Sequence, residues 1–203
     1  MTLRKSVFLQ LIFLQFWICG NAQTKLVNIH SGYDSNNYPF FIAYNSINHQ
    51  ITGYCEINSE AGAKPQFTCI NYFTGTLIPG DKISISFYNY FIDTKATKGW
   101  LYIKSDTSFT IQCDEDLPGC WNLMNLKSGE SIGLSRKTDY TQIVELKAIK
   151  QNLYKAPDES TKLKSYVVQY DPLGVLKEQG NWLQVRYLKN EKIEAWIPKS
   201  SVY

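Results

Sequence analysis

No stretch of this sequence carries a convincing helical period, no C-x-x-C pair occurs, and histidine appears only twice, at His30 and His49. The first absence excludes a helical bundle or a doubly wound α/β sheet, both of which need amphipathic helices. The second removes the ligand pairs of a structural zinc site, and the two histidines lie far in sequence from Cys113 and Cys120. The third bears on nucleophilic catalysis. A cysteine peptidase needs a free thiolate with a histidine base, yet both histidines precede every cysteine beyond Cys19, in a stretch without a nucleophile motif. No metal, no cofactor and no catalytic residue is expected.

Long hydrophobic runs are also scarce. The one apolar run, Val7 to Cys19, is broken only by Gln10 and Gln15 and follows a charged start, Met1-Thr-Leu-Arg-Lys5. It is shorter than the roughly 20 residues of a spanning helix. It leads into Gly20-Asn21-Ala22-Gln23, with small residues where a signal peptidase needs them. Residues 1–22 therefore read as a signal peptide cleaved after Ala22. Lipidation at Cys19 is disfavoured, because Phe16-Trp17-Ile18 puts large side chains where a lipobox needs small ones. The expected location is the periplasm or the exterior, with no stable membrane insertion after cleavage.

Charge points the same way. Of 21 Lys and Arg residues, Arg4 and Lys5 leave with the signal, so 19 basic residues face 18 acidic ones. A nearly neutral chain without a run of like charge gives no reason to expect a nucleic-acid partner. Cleavage also removes Cys19 and leaves Cys55, Cys69, Cys113 and Cys120. An even number in an exported chain reads as two disulfides.

What is present is β-forming sequence. Tyr, Phe, Ile, Val, Thr and Trp recur in short alternating runs separated by Gly, Pro, Asn and Asp. Strands are expected at Phe40 to Tyr44, Ile51 to Ile57, Phe67 to Phe73, Lys82 to Tyr90, Trp100 to Ile103 and Ser108 to Gln112. A hairpin symmetric about Gly62 sets Cys55 opposite Cys69, at a spacing a cross-strand disulfide tolerates. The acidic loop Asp114-Glu-Asp116 lacks the spacing of a calcium loop and reads as solvated. Ile51-Thr-Gly-Tyr54, Phe67-Thr-Cys-Ile-Asn-Tyr-Phe-Thr-Gly75 and Gly119-Cys-Trp-Asn122 resemble segments of an uncharacterised family of exported bacterial proteins. That resemblance implies a bridge between Cys69 and Cys120, leaving Cys55 with Cys113, so the pairing stays open.

The C-terminal quarter is more specific. Asn152-Leu-Tyr-Lys-Ala-Pro157, Gly180-Asn-Trp-Leu-Gln-Val-Arg-Tyr187 and Ala195-Trp-Ile-Pro198 resemble the bacterial SH3 family, although Ala195 stands where that family has Gly. The resemblance implies a small barrel over residues 145–203. The expected architecture is thus all-β: a disulfide-bonded, sandwich-like domain at 23–144, then the SH3-like barrel. In the strand after Gly180, Leu183, Val185 and Tyr187 share one face and Trp182, Gln184 and Arg186 the other. By resemblance, Tyr154, Trp182, Arg186 and Pro198 line one shallow groove. Ser201, following Pro198 where eukaryotic SH3 grooves carry a tyrosine, argues against proline-rich ligands.

The expected function is that of a non-catalytic exported binding protein whose barrel contacts a peptide, a cell-wall fragment or an envelope protein, by analogy of fold. The alternatives are an inhibitor or immunity protein against an envelope-degrading enzyme, and a wall hydrolase with a targeting tail. Intact mass of the protein from an exporting host should show a chain beginning at Gln23. Retention of Met1 to Ala22 would overturn the signal assignment.

Overall fold

The computed structural model describes residues 31–34, 39–58, 68–78, 80, 82–89, 93–117, 120 and 126–203. Residues 1–22, expected to be a signal peptide, His30, and Gly62, the expected centre of a hairpin, lie outside the described residues. Among the described residues there is no α-helix, only three short 3-10 turns, and no helix long and apolar enough to cross a membrane.

The first unit is one antiparallel sheet. Its strands are β1 (Ser31–Asp34), β2 (Phe40–Asn45), β3 (Gln50–Asn58), β4 (Thr68–Thr76), β5 (Lys82–Asn89), β6 (Asp93–Ser105), β7 (Ser108–Cys113), β8 (Glu130–Gly133) and β9 (Arg136–Thr138). Their order is β8-β7-β6-β5-β4-β3-β2-β1-β9, a meander in which every neighbour up to β8 is also a neighbour in sequence. β8 and β9 sit at opposite ends of that order, yet only Leu134 and Ser135 separate them. The sheet must therefore curl until its two ends meet at one bent strand, which pairs with β7 through its first half and with β1 through its second. Gly32 permits the meeting: a Cβ there would fall 2.5 Å from the Arg136 carbonyl oxygen and 2.8 Å from Leu134 Cδ1. In place of two stacked sheets, a single sheet wraps its own core.

Alternation along the strands fills that interior. Phe40 and Ile42 of β2, Ile51, Cys55 and Ile57 of β3, Phe73 of β4, Ile83, Ile85 and Phe87 of β5, and Phe109 and Ile111 of β7 form one buried cluster. The rings of Phe40 and Phe109 meet across it at 5.4 Å, and those of Phe40 and Phe73 at 5.6 Å. The space inside the curl is thus core, occupied by side chains.

One disulfide joins Cys69 and Cys120, closing a 51-residue separation. On the loop-entropy account this constraint is worth about 4 kcal/mol. Asn71, fully buried, donates its amide to both sulfurs, at 3.1 Å and 2.8 Å. The Cys55 to Cys69 pairing is not formed: Cys55 stands opposite Asn71, and Cys69 opposite Ile57. The hairpin is therefore centred one residue beyond Gly62, which moves every cross-strand partner by two. Cys55 and Cys113 are buried thiols, so the expectation of a second bridge is corrected as well.

The second unit is a six-stranded sheet of β10 (Gln142–Glu145), β11 (Lys150–Tyr154), β12 (Lys162–Val168), β13 (Pro172–Gln179), β14 (Trp182–Tyr187) and β15 (Glu194–Pro198), in the order β10-β13-β14-β15-β11-β12. It begins at Gln142, three residues ahead of the expected boundary. Val144, Leu153, Val167, Leu173, Val175, Leu183, Val185 and Ile197 form its core. A third cluster joins the units, with Phe41, Ala43, Tyr54 and Tyr72 from the outer face of the first sheet against Tyr140, Ile143 and Leu188. Tyr140 lies over Gly174, where a Cβ would meet the ring at 2.5 Å.

Burial pushes the Cys55 thiol up to about 12 and raises that of Cys113 above its ordinary value. Neither is a ready nucleophile. Alkylation without reductant should therefore label neither thiol in the native protein, and Cys55 and Cys113 alone once it is unfolded. Protection of all four cysteines in denaturant would show a second bridge.

Candidate functional site

The residues picked out from the sequence fall on the outer face of β14 and β15. Leu183 and Val185 pair with Ile197 and Ala195 on the core side. The intervening pairs, Trp182 with Pro198, Gln184 with Trp196 and Arg186 with Glu194, therefore share the opposite face. Tyr154 of β11 pairs with Trp196 and brings its ring edge-on to Trp182, with centroids 4.9 Å apart. Tyr154, Trp182 and Pro198 are each half-buried. They form a half-exposed patch of rings, a geometry in which edge-to-face packing fixes Tyr154 and Trp182 against each other.

Two adjustments follow from the register. Trp196 belongs to this face and fills the position between Tyr154 and Gln184, only 9% exposed. The alternation Ala195-Trp196-Ile197, with the outer two in the core, was the signal for it. Arg186 does not join the patch. It lies four residues along β14 from Trp182, about 13 Å at strand rise. There it donates to Glu194 at 2.8 Å and sits 5.9 Å from the centre of the Tyr140 ring.

Concave space lies at the seam between the units. One cavity of about 530 Å³ is lined by Pro39, Phe41, Tyr54, Glu56, Arg136 and the Leu188 to Glu191 turn. Its charges are matched: Arg136 pairs with Glu191, Lys189 reaches Glu56 at 3.4 Å, and the Tyr54 hydroxyl donates to the same carboxylate. Burial first, and then Glu56, raises the Tyr54 phenol far above its ordinary value, so it stays protonated. This cavity is a neutralised seam with no group left over to recognise a charged ligand.

A second cavity, of about 240 Å³, opens on another part of the seam. Gln50, Thr52, Tyr72, Thr74 and Tyr88 of the first sheet face Gln142 to Glu145 and Tyr203 there. Ile143 donates its amide to Thr52 Oγ1 at 2.7 Å, and the Tyr72 hydroxyl donates to the Tyr170 carbonyl at 3.0 Å. Glu145 is only 3% exposed, and neither carboxylate oxygen has a hydrogen-bond partner. A lone glutamate in a strand carries no sequence signal, and this one was not anticipated. Loss of hydration pushes its carboxyl from the usual 4.5 up to about 8.

No family model and no curated protein matches the chain.

The raised value has a definite consequence for stability. Between about 4.5 and about 8 the folded protein holds a proton on Glu145 that the unfolded chain has released. Unfolding free energy should therefore fall as pH rises through that window, by at most about 1.4 kcal/mol per pH unit, and level off above it. Glu145→Gln, neutral at every pH, should remove that slope in denaturant titrations. An unchanged slope would show that the buried carboxyl does not titrate late.

Proposed function

We propose that this is an exported, non-catalytic binding protein whose C-terminal unit is an SH3-like module contacting a peptide or cell-wall fragment. The observation that carries the reading is the Tyr154, Trp182 and Pro198 patch. Apolar rings sit out of phase with the core, edge to face, on a surface that no other element covers completely. Such rings stack on extended peptides and on the apolar faces of sugars, and their own packing pre-orders them for it.

Three further features support the reading. The sheet of β10 to β15 curls over one small core of its own, as an SH3-like barrel would. The Cys69 to Cys120 disulfide suits an oxidising compartment outside the cytosol. The remaining thiols are buried and held protonated, and His49, the described histidine, shares a 2.9 Å hydrogen bond with Tyr44 beside an exposed turn. That pairing suits a structural role better than a catalytic base.

The experiment is retention on envelope fragments. Wild-type protein should bind them without releasing soluble products, and Trp182→Ala should lose retention while unfolding within about 1 kcal/mol of wild type, as a half-exposed ring would. Destabilisation by about 3 to 5 kcal/mol would make Trp182 a core residue and remove the patch from consideration. Fragment cleavage would favour a hydrolase, and inhibition of an added wall hydrolase would favour an inhibitor.

A further inference from the structure

The strongest unexplained feature of the molecule is Glu145. Among the described residues it is the only carboxylate with both oxygens buried and unpartnered. Strand alternation fixes where it points. Ile143 packs into the cluster between the units and Val144 into the core of the second, so Glu145 faces the first sheet like Ile143. The cavity on that side has Glu145 as its one carboxylate or cationic side chain, and its other walls are three tyrosines, the apolar Phe73, Ile143 and Val144, and neutral Gln and Thr side chains. The other acids that act on Tyr72 beside it are already held: Asp171 accepts from the Tyr187 hydroxyl and the Val168 amide, and Glu56 from Tyr54 and Lys189.

We infer that this cavity is a binding site for an alkylammonium group, the kind borne by a lysine side chain or a free primary amine, with Glu145 as its counter-charge. The ammonium supplies both the charge and the N–H donors that the carboxylate lacks. Its methylenes lie against the rings of Tyr72, Tyr88 and Tyr203, whose faces also attract a cation. A metal ion fits less well, because no group of three His, Cys, Asp or Glu side chains converges among the described residues. Both oxygens are enclosed in this conformation, so the carboxylate meets a guest by a change of side-chain rotamer toward the cavity that Glu145 lines. The backbone is already held for this: the Tyr203 amide donates to the Glu145 carbonyl at 3.0 Å, and Thr52 fixes the Ile143 amide. The site is separate from the Tyr154 and Trp182 patch and does not depend on its role.

The test uses n-butylammonium as probe and n-butanol as its neutral counterpart, titrated into the full mature protein and followed by backbone amide NMR. Saturable shifts are expected at Thr52, Ile143 and Tyr203 with the amine and not with the alcohol, and Glu145→Gln should abolish them. Because the carboxyl must lose its proton to hold the guest, affinity should rise roughly tenfold per pH unit below about 8 and then level off. Absence of saturable shifts, equal binding of the alcohol or by Glu145→Gln, pH-independent affinity, or shifts confined to Tyr154 and Trp182 would each overturn the inference. Should Glu145→Gln fail to fold, the pH dependence of the wild-type protein decides alone.

Discussion

Two residues, Leu134 and Ser135, separate the strands that end the nine-stranded sheet on either side, and a connection that short leaves the sheet no option but to curl. Curling disposes of both edges, which an open meander of this length would expose. It also sorts the side chains. Interior positions become fully enclosed and take Phe, Ile and Leu, while the convex face of β2, β3 and β4 is left carrying Phe41, Ala43, Tyr54 and Tyr72. An apolar surface of that size needs a cover, and Tyr140, Ile143 and Leu188 of the second unit supply it. The chain leaving the bent strand runs straight into β10, which lies on that face.

The sequence disclosed the strands better than the way they assemble. Alternation in Lys82 to Asn89 or Ser108 to Cys113 marks one wet and one dry face, and both strands lie where the pattern puts them. β13 is hard to read as a strand, because it opens with Pro172 and contains Gly174. The proline occupies the first strand position, where its missing N–H matters least, and the glycine makes room for Tyr140. The wrapped sheet was not legible because curl depends on which strands end up paired, and that is set by β8 and β9, each only three or four residues long. One clue to the contact between units was available. Phe40-Phe41-Ile42-Ala43 is apolar without alternation, the pattern of a strand buried on both sides.

The site residues divide along the same line. Tyr154, Trp182 and Pro198 came together because their relation is fixed within adjacent strands of one small sheet, where period and pairing are readable. Arg186 shares the face of Trp182 but not its neighbourhood. Phase along a strand fixes which side a residue faces, whereas distance along it decides what the residue touches. Glu145 is the opposite case, since its environment is made by strands whose lining residues, Gln50 to Tyr88, lie 57 to 95 residues earlier in the chain, and by Tyr203 well after it.

The two surfaces differ in energetic character. The aromatic patch is content without a guest, because half-exposed rings packed edge to face leave no polar group unsatisfied. The cavity at Glu145 is not. A carboxyl walled off from water either keeps its proton against its ordinary acidity or stays charged without a counterion, and both cost folding free energy that an apolar side chain of similar size would not. The neighbouring seam shows that this chain can neutralise acids when they serve only to join the units, since Glu56 and Glu191 each face a cation across it. Glu145 lies in the same junction, in contact with the same two sheets, and has none. The difference between matched and unmatched acids on one interface is what separates a structural contact from a place prepared for a cation from outside.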